Sequence, residues 1–272
     1  MSVISCQIDN HVATLTLSNP KVGNALGEAF WRDLPSVAAE LQQNPDVHAV
    51  VIVGEGKHFC VGIDLPFAQA TFLGPANAEQ RAQRVAAIEN MQDGLQAIEK
   101  LDVPVIAAIH GACIGAGVEL ATCADIRLCT QDAVFALKEI QLAIIPDLGG
   151  LQRLPRQLAA GIARELAYTG RNFSAAEALQ WQWVNNTYAD IDSLYSAAHT
   201  LAAEMATYAP RAMRHIKRSL ADTAIAQDIE DMRALIAPQL DECISVDMVE
   251  MLRANQEKRP ATYTPRPVKS QK

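Results

Sequence analysis

The chain of 272 residues has no G-x-S-x-G elbow, no C-x-x-C pair and no H-E-x-x-H signature. The first absence argues against a serine nucleophile raised on a strained strand-to-helix turn. The second leaves six cysteines, Cys6, Cys60, Cys113, Cys123, Cys129 and Cys243, placed singly and mostly in apolar stretches. Free cysteine packs there as a small hydrophobe, and the simplest expectation is a reduced, cytoplasmic protein. The third, with six scattered histidines, makes no case for a metal. Basic residues are also in deficit. With 23 Lys and Arg against 31 Asp and Glu, the net charge is -8, which disfavours a nucleic-acid partner needing a basic face. The apolar run from Val103 to Val118 is broken by Pro104, His110 and three glycines, and it is too short and irregular to span a bilayer. The start, Met1 to Leu17, alternates like a strand pair rather than a signal peptide. The last residues carry no S-K-L address, and no internal repeat is evident.

What is present suits a large core. Half the residues are hydrophobic and 20% are charged, enough for one large domain or a domain plus an appendage. Short β runs at Val12–Leu17, Ala49–Gly54, Val105–Ile109 and Ile126–Cys129 alternate with helical stretches at Ala29–Gln43, Ala82–Leu101 and Gly117–Cys123. Such alternation predicts an α/β fold. Phe67–Ala82, with Gly74-Pro75 and few aliphatics, reads as a mobile loop or a surface connection. From Ser174 onward helices are expected at Ala175–Trp181, Ser193–Tyr208, Arg211–Ala224 and Ala226–Asn255. The expected division is a core over 1–190, a helical region over 191–260 and a disordered basic tail over 261–272.

Two runs, Lys57 to Leu65 (KHFCVGIDL) and Gly111 to Leu120 (GACIGAGVEL), look built to present main-chain donors. A glycine turn feeding a helix start leaves N–H groups unpaired and aimed outward. Brought together, two such turns make a pocket for a developing oxyanion. Alone, each is equally readable as a tight turn at a strand end.

Three acids follow in largely apolar sequence: Glu119, Glu139 and Asp147. An ionised carboxylate there is costly unless it is paired or functional. Each has a plain alternative. Glu119 suits the first turn of a helix, Glu139 a solvated strand end, and Asp147 the N-cap of a helix over Leu148–Ala159. Together with two amide-donor loops they favour a site.

These motifs resemble the crotonase, or enoyl-CoA hydratase/isomerase, superfamily from about Ile4 to Thr264. Its marks are Asn19-Pro20 with Asn24-Ala25-Leu26, the run Phe59 to Leu65, and the block His110 to Arg127. Further marks are Phe135 to Glu139, Gly149 to Arg156 and Glu257-Lys258-Arg259. The resemblance implies a spiral of ββα units followed by a helical oligomerisation region. It also implies a trimer or dimer of trimers, and an acyl-CoA thioester substrate with no separate cofactor. Within the superfamily the chain looks most like the isomerases that convert 3,5-dienoyl to 2,4-dienoyl thioesters, which carry an aspartate at the position of Asp147 where hydratases have glycine. Glu119 departs from that branch, which has aspartate there, and matches hydratases. Hydration of a 2-enoyl thioester by Glu119 and Glu139 is therefore the alternative, and a non-catalytic or RNA-binding relative a remote one. The resemblance further implies an oxyanion hole from the N–H groups of Ile63 and Ala116. It assigns substrate contacts to Ala25, Gly62, Asp64, Leu65 and Gly117, and the nucleotide end of CoA to Lys258, reaching in from a neighbouring subunit.

Overall fold

Parallel pairing of Val12–Leu17 with Ala49–Gly54, Val12 opposite Ala49 and Leu17 opposite Gly54, starts the main sheet. The computed structural model describes residues 3–220 and 225–263. Its strands are β1 (Ile4–Asp9), β2 (Val12–Leu17), β3 (Ala49–Gly54), β4 (Val105–Ile109), β5 (Ala112–Ile114), β6 (Ile126–Thr130), β7 (Val134–Ala136), β8 (Phe173–Ser174) and β9 (Asn186–Tyr188). The large sheet runs β1-β2-β3-β4-β6-β9 and the small one β5-β7-β8. Only the β1–β2 hairpin is antiparallel in the large sheet. The α/β expectation therefore holds, and three of the four anticipated strands have the bounds read from sequence.

β3 and β4 are buried along their whole length, as central parallel strands covered on both faces must be. Alternate side chains divide between two cores. Val50, Ile52, Val105, Ala107 and Ile109 share a core with Phe30 and Leu34 of α1 (Glu28–Gln43). α2 (Leu65–Phe72), α3 (Ala78–Glu99) and α4 (Ala116–Thr122) add Phe72, Leu95 and Val118 to the same core. Ala49, Val51, Ile106 and Ala108 face the other way. They meet Leu194, Ala198 and Ala202, which recur every fourth residue on one face of a later helix, Ile191–Ala206.

The segment Phe67–Ala82 is mostly helix rather than loop. Asp64 Oδ1 accepts the Phe67 N–H at 2.8 Å and Pro66 occupies the first turn, two start signals that favour α2. A reciprocal cap between Asn77 and Gln80 then opens α3, leaving 73–77 as the connection. Between α4 and the C-terminal part lie α5 (Gly150–Gln157), α6 (Ala160–Thr169) and α7 (Ala175–Gln180). They lead to α8, the Ile191–Ala206 helix, and α9 (Pro210–Leu220). The single helix expected over Ala226–Asn255 is interrupted. α10 (Ile225–Ala234) and the short α11 (Ile236–Pro238) precede a π-helical stretch Gln239–Asp247 and then α12 (Met248–Gln256). Pro238 offers no N–H to the ladder, which accounts for a break there. Positions 221–224 of the helix expected over Arg211–Ala224 lie outside the described residues, as do positions 264–272 of the expected tail. No helix among the described residues is long and apolar enough to cross a membrane.

Asn24 ties this scaffold to the first glycine run. It is buried and left-handed (φ 58°), a conformation asparagine tolerates. Its Nδ2 donates to the carbonyls of Glu55, His58 and Phe59 at 2.9, 2.7 and 3.2 Å, and its Oδ1 accepts the Asn19 N–H at 2.9 Å. Replacing it strands several buried backbone groups. Asn24→Ala should cost about 2–4 kcal/mol in urea unfolding; a loss under about 0.5 kcal/mol would show that the loop does not depend on it.

Candidate active site

The two glycine runs are stitched side by side. Cys60 bridges Cys113 in parallel fashion. The Phe59 and Cys60 N–H groups donate to His110 and Ala112 carbonyls, and the Ile114 N–H donates back to Cys60. Beyond this, Leu26 donates to the Gly62 carbonyl at 2.8 Å and accepts the Asp64 N–H at 3.1 Å. In that parallel pattern the intervening Ile63 turns its own N–H away from Leu26. Gly62 has φ 98°, and a Cβ there would lie 2.8 Å from the Ile114 carbonyl oxygen and 3.7 Å from the Ala116 nitrogen. The loops thus touch at the point where both donors emerge. Ala116 is the first residue of α4, so its N–H has no partner within the helix. Ile63 and Ala116 line one cavity of about 60 Å³.

Glu119, Glu139 and Asp147 line the same cavity, whose remaining wall includes Leu65, Phe72, Met91, Leu142, Ile145 and Met248. The acids are 1%, 8% and 7% exposed. Glu119 is in the first turn of α4, as the plain reading had it, yet its carboxylate serves another segment. Oε1 accepts the N–H groups of Leu148 and Gly150 at 3.0 and 2.9 Å. Glu139 is not a solvated strand end. It starts a 3-10 turn, Glu139–Leu142, and its Oε1 lies where a Cβ on Gly115 would be, 2.8 Å away. Gly115 is needed there twice over, by its φ of 52° and by this carboxylate. Asp147 caps no helix, because α5 begins at Gly150 with Gly149 before it. Among the described residues, Glu139 Oε2 and Asp147 Oδ2 are buried without a hydrogen-bond partner.

Burial is the first cause of the raised proton affinity of all three. Asp147 is pushed from the ordinary 3.8 to about 8, with the Glu119 charge adding to desolvation. Glu119 rises to about 7, held back by the Gly150 and Leu148 N–H groups and then by the Arg153 charge. Glu139 lies well above the ordinary range, raised further by Glu119 and Asp147. A charge on one carboxyl of the shared cavity disfavours ionisation of its neighbours and so strengthens their hold on their protons. Such a set holds a base and an acid at the same time.

Leu65 lines the cavity, and Gly62 packs against the Ile114 carbonyl. Asp64 spends Oδ1 on the α2 cap. Gly117 packs on Cys60, whose carbonyl oxygen a Cβ would meet at 2.6 Å. Ala25 sits by a separate small pocket with Asn24, Leu26 and Phe30. Lys258 is exposed just beyond α12 and is not among the residues that line the acid cavity. Two glutamines passed over in the sequence, Gln92 and Gln239, hold the segment that carries Asp147. A buried amide in a helix has no sequence signature that separates it from a surface one. A larger cleft of about 450 Å³ lies elsewhere, lined by Arg127, Lys217 and others. Its cations are engaged: Arg127 donates to the Trp183 and Ala124 carbonyls, and Lys217 pairs with Asp125 at 2.8 Å. Among the described residues no group of three or more His, Cys, Asp or Glu side chains is arranged to hold a metal ion.

The chain is similar to known proteins over most of its length. The family model described as enoyl-CoA hydratase/isomerase matches residues 7–266. The chain is 36% identical over 262 residues to the peroxisomal Delta(3,5)-Delta(2,4)-dienoyl-CoA isomerase of Arabidopsis thaliana, covering 92% of this chain and 94% of the relative. It is 35% identical to the mitochondrial enzyme of that name from Mus musculus, covering 92% of this chain and 77% of the relative. Among solved structures, an enoyl-CoA hydratase from Bacillus anthracis superposes with a TM-score of 0.73 at 31% identity, covering 96% of this chain and 99% of that one. With a family match spanning nearly its whole length, the chain belongs to the enoyl-CoA hydratase/isomerase family of enzymes and has the crotonase fold.

Proposed function

We propose that this enzyme isomerises 3,5-dienoyl-CoA to 2,4-dienoyl-CoA. The carrying observation is the division of labour among the three acids. Glu119 uses Oε1 to fasten the 148–150 backbone, while Glu139 and Asp147 each keep an unpartnered oxygen in the shared cavity. A hydratase has no evident use for the third carboxyl. The names of the relatives above support the same reading.

In this mechanism one carboxylate of the Glu139–Asp147 pair removes a proton from C2 of the thioester. The electron pair spreads over the carbonyl oxygen, C2, C4 and C6. The Ile63 and Ala116 N–H groups receive the oxygen's charge, a stabilisation of roughly 3–4 kcal/mol per donor. The other member of the pair, still protonated because burial and its neighbours hold the proton, delivers one to C6. The double bonds then stand at 2,4, with the proton count unchanged. The apolar wall excludes the water that would divert the intermediate. Lys258 is exposed and is not among the residues that line this cavity, which fits a part in CoA binding played in a neighbour's site, within a trimer or dimer of trimers.

The two reactions rank the acids differently. For isomerisation, Asp147→Asn and Glu139→Gln should each lower kcat about 10²-fold or more, the scale of one general acid/base. Glu119→Gln should do less. Hydration reverses this, with Glu119 and Glu139 essential and Asp147 dispensable. The increase in ultraviolet absorbance as the conjugated 2,4-diene forms gives the rate for each variant. An Asp147→Asn enzyme isomerising at the wild-type rate would contradict the assignment.

The same burial has a stability signature. For an acid whose folded-state pKa is raised, the favourable contribution is complete below the unfolded value and is lost as pH rises through the folded one. For Asp147 that window runs from 3.8 to about 8. Asp147→Asn should therefore gain stability relative to wild type as pH rises across it, and level off above. The gain should be on the order of a few kcal/mol at about 1.4 per pKa unit. Melting temperatures from pH 4 to 9 measure it, and a difference independent of pH would contradict the burial argument.

A further inference from the structure

With Asp147 Oδ2 unpartnered, the place of this carboxyl is decided by its backbone. Downstream, Glu119 holds residues 148 and 150. Upstream, a side-chain amide does the work of a neighbouring strand. Gln239 Oε1 accepts the Ile145 N–H at 2.8 Å, and Gln239 Nε2 donates to the Ile145 carbonyl at 3.2 Å. At Asp147 itself, Gln92 Nε2 from α3 donates to the carbonyl oxygen at 2.8 Å and to the Met232 carbonyl of α10 at 3.3 Å.

Both amides are almost fully buried, Gln92 at 1% and Gln239 at 5% exposure. Gln92 leaves its Oε1 without a partner, an arrangement that costs stability where an apolar side chain would pack without that loss. Gln239 is the first residue of the π-helical stretch and lines the acid cavity. Such departures from α geometry recur at functional sites.

We propose that Gln239 and Gln92 are positioning residues for Asp147, amide clamps through which α3 and the C-terminal helices set the acid opposite Glu139. The proposal rests on the isomerase reading for its kinetic consequence, and on hydrogen-bond geometry alone for its structural one. Both bear on the reaction through Asp147. They act by fixing the 145–147 backbone, where a displacement of about 1 Å is enough to cost about 10²-fold in rate.

The test uses the full-length enzyme with Gln239→Met and Gln92→Met, which keep length and remove the amide. Gln239→Asn serves as a milder variant should Gln239→Met fold poorly. Two readouts are taken. The first is kcat and KM on a 3,5-dienoyl thioester. The second needs no substrate: a ¹³C-carboxyl NMR titration of labelled aspartates, with the Asp147 signal identified by its loss in Asp147→Asn. The expected result is a kcat lowered about 10- to 100-fold with KM within about threefold, and an Asp147 titration moved down toward the ordinary carboxylate range as the loosened loop admits water. A variant that melts earlier but keeps both kcat and the Asp147 titration would overturn the proposal, since packing alone would then explain the glutamines. Should the wild type fail to isomerise the diene while the titration still moves in the variants, the reaction assignment falls and the clamp stands.

Discussion

Moving one carboxylate out of water is expensive, and this chain places three carboxyls around a single apolar cavity. Each would rather hold its proton than be charged there. The surrounding architecture follows from that cost. Glu119 is offset by two backbone N–H groups and a nearby buried arginine. That arginine, Arg153, is held in turn by Glu99 at 3.0 Å and by donation to the Leu148 carbonyl. Glu139 needs a glycine at 115 to make room. Asp147 has neither a cap nor a cation on its free oxygen, so its backbone must be held from three sides. Stability is surrendered at the site and recovered in the sheet and helices that carry it.

The sheet supplies rigidity where the chemistry needs it. β4 is sealed on both faces, and the chain leaves it directly into the second glycine run, so the donor at Ala116 is only a few residues from the most buried backbone of the molecule. The first run is anchored laterally, by Asn24 to the carbonyls after β3 and by Leu26 to both sides of Ile63. Ile63 and Ala116 therefore line one cavity although they stand more than fifty residues apart in the chain. Preorganisation of this kind lets an oxyanion form without rearranging its surroundings.

Much of this was legible in the sequence, for identifiable reasons. The strands Val12–Leu17, Ala49–Gly54 and Val105–Ile109 were readable because a doubly covered strand admits little but aliphatic residues. The glycine runs and the three acids stood out because each breaks an apolar pattern. Asp64-Leu65-Pro66 carries local start signals for α2, although the low aliphatic content from Phe67 onward reads as loop. The long helix expected over Ala226–Asn255 failed at Pro238, a residue whose missing N–H was visible all along. Gln92 and Gln239 were not recoverable, since their partners lie far away in sequence and only the folded chain brings the amides to the Asp147 loop. The contact of Glu119 with Leu148 and Gly150 was hidden for the same reason.

The central claim is that the three-acid cavity moves a proton between the two ends of a conjugated intermediate and does not add water. Offering the purified wild-type enzyme 3,5-dienoyl, 3-enoyl and 2-enoyl thioesters in parallel, and identifying each product by mass and ultraviolet spectrum, tests it most directly. The account predicts efficient conversion of the 3,5-diene to a 2,4-diene of unchanged mass, with little hydration of the 2-enoyl thioester. A product heavier by one water from the 2-enoyl thioester, with the 3,5-diene left untouched, would contradict it.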